Sequence, residues 1–97
     1  MDTGLLSRLL DEEGRLTRYP SKFKTRVYAT LHIAVKFEQG RVYSEKQVNE
    51  LIRSAIAFDD YVLVRRDLVD MRCLFRKADG SEYRRADVLP AAEDIIN

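Results

Sequence analysis

Apolar side chains recur at helical spacing in three successive stretches in the middle of the chain. In the first stretch they repeat every three or four positions, at Phe23, Val27, Leu31 and Ala34. The same period continues in two further stretches, which short polar segments separate. The pattern therefore predicts three core helices, over 21–37, 44–57 and 60–71.

Polar residues at the beginning of each stretch support these helix boundaries. Ser21 is a suitable N-cap for the first helix. Ser44 is followed three positions later by Gln47, which is the pattern of a capping box. Asp59 or Asp60 can cap the third helix, because a carboxylate accepts hydrogen bonds from the first-turn N–H groups.

Short extended segments accompany the helices. Val42 and Tyr43 predict a very short strand between the first and second helices. Asp79-Gly80, with extended segments on both sides, is a strong turn signal and predicts a hairpin over 73–85. If the hairpin loop holds an odd number of residues, Phe75 and Tyr83 lie on one face and pair there.

Both ends of the chain carry apolar residues outside these elements. Near the N-terminus they have helical spacing and predict a short helix that either docks on the core or presents its leucines to a partner, namely Leu5, Leu6, Leu9 and Leu10. At the C-terminus, the tail either begins a short helix with Pro90 as its first residue or frays.

The order helix, short strand, helix, helix, hairpin is typical of a winged helix. The predicted fold class is therefore α+β, with a three-helix core, a two-stranded β-hairpin wing and a short N-terminal helix. The chain divides into an N-terminal helical extension, a winged-helix domain and a C-terminal tail or short helix, over 1–14, 15–86 and 87–97.

Composition fits one globular domain in a reducing compartment. Of 97 residues, 45% are apolar and 34% charged, which argues against disorder. No apolar run approaches the roughly 20 residues of a membrane helix, and the first residues lack the layout of a secretion signal. The single Cys73 cannot form an internal disulfide, so we expect a cytoplasmic protein.

Positive charge is concentrated in two blocks, although the net charge is only +1. Residues 14–37 hold six basic and no acidic side chains, and residues 61–77 hold five basic against two acidic ones. In a winged helix the third helix enters the major groove and the wing touches the backbone, so we expect double-stranded DNA as a partner. The candidate nucleic-acid contacts are Lys22, Lys24, Arg65, Arg66, Arg76, Lys77, Arg84 and Arg85.

Acidic residues in the third helix favour a second interpretation. Asp59 and Asp60 would repel phosphate at its beginning, while Asp67 and Asp70 offset its arginines. The alternative is a protein–protein interaction or dimerisation module without DNA binding. Its contacts would be the N-terminal leucines, and its partner a second copy or another regulatory protein.

Neither enzyme chemistry nor a cofactor is expected. His32 and Cys73 are the only histidine and cysteine and lie in different predicted elements, whereas a zinc site needs three or four ligands. Cys73 is expected to be buried behind the hairpin. Because all four glycines are isolated, the chain also lacks a phosphate-binding loop. The sequence therefore predicts no catalytic residue, metal, small-molecule substrate or membrane partner.

Three segments, read in order, resemble a small bacterial family. Residues 16–22 read LTRYPSK, residues 36–50 read KFEQGRVYSEKQVNE and residues 64–70 read VRRDLVD. Together they are similar to the domain-of-unknown-function family 2087. The resemblance implies a winged-helix-like domain, sometimes joined to an ArsR-type regulator, with no established activity and therefore no site residues to transfer.

One position departs from the family pattern. After the third helix such domains usually turn through a glycine, whereas this chain has Arg72. A left-handed arginine would cost about 1 kcal/mol relative to glycine, which predicts a different turn here.

Overall fold

The fold is α+β, as predicted from the sequence. The computed structural model describes residues 4–97, apart from the side chain of Leu5. In chain order the elements are α1 (Gly4–Ser7), α2 (Phe23–Ala34), β1 (Val42–Tyr43), α3 (Glu45–Ala55), α4 (Tyr61–Asp70), β2 (Leu74–Arg76), β3 (Tyr83–Arg85) and α5 (Ala92–Ile96). Within residues 4–97, no helix has the length and apolar character needed to cross a lipid bilayer.

The beginnings of α3 and α4 follow the sequence signals. Gln47 N donates to Ser44 Oγ at 3.1 Å, and Ser44 N donates to Gln47 Oε1 at 2.9 Å, which completes the capping box. At α4, Leu63 N donates to the Asp60 carboxylate at 3.2 Å. Both predicted caps are confirmed, and they explain why these two helices begin where the sequence indicates.

Helix α2 is shorter at both ends than predicted. The N-cap position is occupied by Lys22, which makes no capping hydrogen bond, so the prediction of Ser21 as N-cap was wrong. At the other end, Phe37 N donates to Ala34 O at 3.1 Å. This bond spans three residues and closes a tighter turn than the α-helix that was predicted to continue to residue 37. This turn folds the Phe37 ring into the core, where the residue is 1% exposed.

The turn after α4 keeps the left-handed conformation despite its arginine. Arg72 has a φ of 63°. Cys73 N donates to Leu68 O at 2.8 Å and Arg72 N donates to Val69 O at 3.0 Å, which are the two bonds of a Schellman motif. The prediction of a different turn was wrong, because the hydrogen bonds and the burial of Cys73 offset the strain at Arg72.

The sheet has three antiparallel strands in the order β1-β3-β2. The hairpin is confirmed, and β1 joins it as a third strand that the two-stranded prediction did not include. Lys77 N donates to Glu82 O at 2.9 Å, which leaves an even, four-residue loop over 78–81. Phe75 therefore lies opposite Arg84, and the predicted pairing of Phe75 with Tyr83 does not form.

The core lies between α2, α3 and α4 and the inner face of the sheet. Leu16, in the segment before α2, is fully buried. Its backbone pairs with the end of α3 and the residues after it: the Leu16 N–H donates to Ala55 O at 2.9 Å, and the Leu16 carbonyl accepts from Ala57 N at 2.8 Å. The largest fully buried side chains are Tyr83, Phe37, Leu16, Ile33, Ile52, Leu68 and Leu74.

Both ends of the chain pack against α2. Helix α1 contacts α2, and so does α5. The tail forms a helix, but Pro90 is not its first residue, since α5 follows an extended Ala91. Ile95 and Ile96 are half-buried against the core.

Candidate nucleic-acid interface

Two arginines of α4, Arg65 and Arg66, lie on the face of the helix that borders the hairpin. Arg66 is solvated, and Arg65 is held by the neighbouring helix α3. The Arg66 side chain is 77% exposed, and its Nε lies 3.9 Å from Oδ2 of Asp70 one turn later. Arg65 is half-buried, and its guanidinium donates a hydrogen bond to the side-chain oxygen of Asn49 on α3. Helix α4 therefore presents one solvated cation, Arg66, and one cation, Arg65, that is hydrogen-bonded to α3.

The hairpin carries cations on both faces. Arg76 lies opposite Tyr83, and its guanidinium covers the turn, so that a Cβ built on Gly80 would lie 3.6 Å from Arg76 Nη2. Lys77 Nζ lies 3.8 Å from the Glu82 carboxylate. Arg84 points to the other face, and its side chain makes no hydrogen bond or ion pair within residues 4–97.

The cations of α4 and of the hairpin converge on two adjoining grooves. The α4–hairpin groove has a volume of about 370 Å³ and is lined by Val62, Arg65, Arg66, Val69, Asp70, Arg76 and Tyr83. The second groove, which we call the hairpin groove, measures about 230 Å³ and is lined by Val42, Phe75, Arg76, Lys77, Glu82, Tyr83 and Arg84. Arg76 and Tyr83 line both grooves, and the two grooves together include five of the eight predicted cations.

The other three predicted cations lie elsewhere. Arg85 is half-buried, and its guanidinium donates to the Phe37 carbonyl at 3.2 Å and to the Ala86 carbonyl at 3.3 Å, which ties the sheet to the segment after α2. Lys22 and Lys24 are exposed at the beginning of α2. Lys22 lines a separate groove together with other residues of the N-terminal half, among them Arg8 and Arg18.

A buried tyrosine links the two grooves to α3. The Tyr83 hydroxyl donates to the Glu45 carboxylate at 2.8 Å. Burial and this hydrogen bond raise the pKa of Tyr83, and the nearby charges of Arg65 and Arg76 oppose the shift. At neutral pH Tyr83 is thus a protonated donor that fixes β3 to the first turn of α3. No local signal predicts this contact, since the two residues are 38 positions apart.

The acidic residue that follows the two arginines faces the core. Asp67 Oδ2 accepts hydrogen bonds from Tyr19 Oη and from Arg26 Nε, both at 2.6 Å. Tyr19 Oη also lies 2.6 Å from Oγ1 of Thr30, and the guanidinium of Arg26 stacks 4.9 Å from the centre of the Tyr19 ring. We call these residues the Asp67 network. Asp67 therefore holds the loop before α2, α2 itself and α4 together, and it does not oppose phosphate at the surface.

Two carboxylates, those of Asp59 and Asp60, lie directly before α4. Asp60 is engaged as the helix cap, and Asp59 is exposed. Capping carboxylates are favoured by the positive end of the helix dipole. The Asp60 carboxylate thus has a structural role, which reduces its weight as an argument against nucleic-acid binding, whereas the exposed Asp59 carboxylate keeps that weight.

Three of the four N-terminal leucines pack within or against the core. Leu6 and Leu9 are 8% and 7% exposed and belong to the core, and Leu10 is half-buried against it. The side chain of Leu5 lies outside the described part of the structure. A partner could reach Leu6 and Leu9 only if α1 and the turn that follows it left the core.

The two side chains with potential nucleophile or base chemistry, those of Cys73 and His32, line neither groove. Cys73 is buried, as predicted, and burial raises the pKa of its thiol to about 11, so the thiol is protonated at neutral pH. His32 Nε2 lies 3.3 Å from the Gly14 carbonyl and ties α2 to the N-terminal segment.

Comparisons with known proteins identify one family. The profile of the family described as "Uncharacterized protein conserved in bacteria (DUF2087)" matches residues 15–85, which is well over half of the chain. No curated protein and no solved structure matches this chain. The matched residues run from the segment before α2 to the end of β3 and include both grooves.

Proposed function

We propose that this chain, which belongs to the bacterial family DUF2087, is a winged-helix module that binds duplex DNA through α4 and the β2–β3 hairpin. The order α2, β1, α3, α4, β2, β3 supports the winged-helix assignment, as does the position of β1 beside β3. In this type of domain α4 would be the helix that enters the major groove, with the hairpin as the wing.

The observation that carries the proposal is the shared groove of Arg65, Arg66 and Arg76. Cations from two different elements meet there, and Lys77 and Arg84 extend the positive surface through the adjoining hairpin groove. A surface of this kind neutralises successive phosphates and releases their counterions. The module would be of the kind that transcription regulators use.

A salt titration with a random-sequence duplex tests this function. Arg66→Ala and Arg76→Ala should each weaken binding and should each lower the slope of log K against log salt by about 1. The matched control is Lys24→Ala, an exposed cation that lines neither groove, and it should leave the slope unchanged. A wild-type chain that does not bind the duplex at about 50 mM salt would contradict the proposal.

The second candidate is a protein-interaction module, and an apolar groove favours it. Between α2 and the tail lies a groove of about 340 Å³ that is lined mainly by Tyr28, Leu31, Val35, Leu89, Pro90 and Ala92. Val35 is 61% exposed on its rim. If a second copy docks there, Val35→Asp should shift the protein to the monomer in sedimentation, whereas wild type that stays monomeric at high concentration contradicts this candidate.

A binding role accounts for the chain better than a catalytic one. The protonated, buried Cys73 and the backbone-bonded His32 offer no activated nucleophile or base to either groove. What the grooves offer is positive charge and an exposed ring, which are the properties of a binding surface.

A further inference from the structure

The outer face of the sheet carries one row of side chains across all three strands. The register places Val42 of β1 and Phe75 of β2 on either side of Arg84 of β3. Val42 is 42% exposed and Phe75 is 54% exposed. We call these three residues the outer row. Its members border the hairpin groove, where Arg76 and Lys77 also lie.

The core does not require the ring of Phe75. The inner face of the same sheet is filled by Leu74, Tyr43 and Tyr83, which are 0%, 3% and 2% exposed. Within residues 4–97, Phe75 has no aromatic partner, and Arg84 beside it has no ion pair. A single exposed apolar residue needs no explanation. Here, however, an uncovered aromatic face and an unpaired cation are direct neighbours.

This combination matches one ligand chemistry. Unpaired bases stack on exposed aromatic rings, and adjacent cations neutralise the phosphates that carry those bases. Base pairs within a duplex are stacked on one another and offer no such face to a sheet. An acidic peptide would satisfy Arg84 but would not need a planar aromatic surface beside it.

We infer that the outer row is a stacking platform for an unpaired base, so that the bound nucleic acid includes a single-stranded segment alongside the hairpin. This inference rests on the nucleic-acid-binding function proposed above, because Arg76 and Tyr83 join the two grooves. Phe75 provides the stacking face, Arg84 lies next to the base and its phosphate, and Val42 closes the far side of the row.

The first test compares two single strands of equal charge: a short oligothymidylate, and a strand of the same length that has abasic sites throughout. Phe75→Ala in the full chain should weaken binding of the oligothymidylate about tenfold, as expected for the loss of one stacked base. Binding of the abasic strand should not change, because its phosphates meet the same cations. Arg84→Ala should weaken binding of both strands.

The second test uses the absence of tryptophan from this chain. Phe75→Trp places a single indole at the platform, and its fluorescence can be excited apart from the tyrosines. Oligothymidylate should quench it, whereas the abasic strand should not. Val42→Trp is the matched reporter at the other end of the same row and should be quenched less, since position 75 supplies the stacking face.

Different results would overturn the inference and the proposed function. If Phe75→Ala binds oligothymidylate as tightly as wild type does, while Arg66→Ala still weakens duplex binding, the stacking platform is wrong and the proposed function stands. If Phe75→Ala instead changes the oligomeric mass of the protein alone, the outer row is a protein interface. If wild type binds neither strand nor duplex at low salt, both proposals are wrong.

Discussion

The inner and outer faces of α4 each carry an aspartate paired with an arginine, but the two pairs differ in burial and therefore in how much they stabilise the fold. On the inner face, Asp67 has a side chain that is 11% exposed and accepts hydrogen bonds from Tyr19 and Arg26. On the outer face, Asp70 is 65% exposed and lies 3.9 Å from a solvated Arg66. The first carboxylate is desolvated and depends on its partners, whereas the second is hydrated and contributes little. Burial, and not residue type, decides which charges hold the fold and which remain free to meet a ligand.

The largest expected effect is the loss of the Asp67 carboxylate. Asp67→Ala should lower the free energy of unfolding by about 2–4 kcal/mol, because it leaves Arg26 and the Tyr19 hydroxyl without their acceptor in a mostly buried site. Urea denaturation measures the change. The matched control is Asp70→Ala on the same helix, which should change the free energy by no more than about 0.5 kcal/mol. Equal losses from the two variants would break the comparison.

Tyr19→Phe sharpens the comparison by removing one hydroxyl from the Asp67 network and keeping the Arg26–Asp67 pair. The expected loss of unfolding free energy at neutral pH is about 1 kcal/mol. Burial and the hydrogen bond to Asp67 raise the pKa of Tyr19. The folded chain therefore keeps this proton where the unfolded chain loses it. The stabilisation is present below about pH 10 and is lost as the pH rises above that value.

The pH series also contains its own control. Wild type should lose more stability than Tyr19→Phe between about pH 8 and pH 11, because only wild type has the shifted hydroxyl. Parallel loss in both proteins would mean that Tyr19 does not contribute to the pH dependence.

Arg72→Gly tests an exposed residue whose left-handed backbone conformation, and not its side chain, affects stability. Glycine adopts the left-handed conformation at no steric cost, so the variant should gain about 1 kcal/mol in unfolding free energy. The same replacement at Arg66, inside α4, should have the opposite sign and cost about 1 kcal/mol, because glycine is a poor helix former. Thermal denaturation of the two variants distinguishes the signs, and destabilisation by Arg72→Gly would contradict the argument.

The smallest expected effect on stability accompanies a gain in binding. Asp70→Asn removes a negative charge from the α4–hairpin groove and should change the unfolding free energy by less than about 0.5 kcal/mol. Affinity for duplex DNA should rise several-fold at low salt, since Arg66 then meets phosphate without a competing carboxylate. Titration at two salt concentrations measures this gain. An unchanged affinity would indicate that the outer face of α4 does not contact the ligand.

Local signals made much of the fold predictable from the sequence. The Ser44–Gln47 box and the Asp60 cap join residues only three positions apart, and the Asp79-Gly80 turn joins adjacent ones. Two kinds of feature were not predictable in this way: those that depend on whether a loop has an odd or an even number of residues, and those that depend on partners distant in the sequence. The loop length decides which residue faces Phe75, and nothing near Asp67 in the sequence indicates that Tyr19, 48 positions away, is its partner.

The candidate site shows the same division. The cations of α4 and of the hairpin were identified from their elements, but their meeting depends on β2 lying beside α4. Arg85 was predicted as a contact because it lies in the hairpin, but its position in β3 turns it toward the carbonyl of Phe37. Charge blocks therefore indicate which residues to consider, and strand register decides which of them reach the surface together.

The order of the sheet has a consequence for biosynthesis. The central strand, β3, is the last of the three to leave the ribosome, so neither β1 nor β2 has a hydrogen-bonding neighbour until residues 83–85 emerge. In a nascent chain cut short before Tyr83, β1 and β2 would each have both edges unpaired, and unpaired strand edges favour aggregation. Complete synthesis through β3 therefore halves the number of unpaired strand edges and leaves only the outer edges of β1 and β2 open.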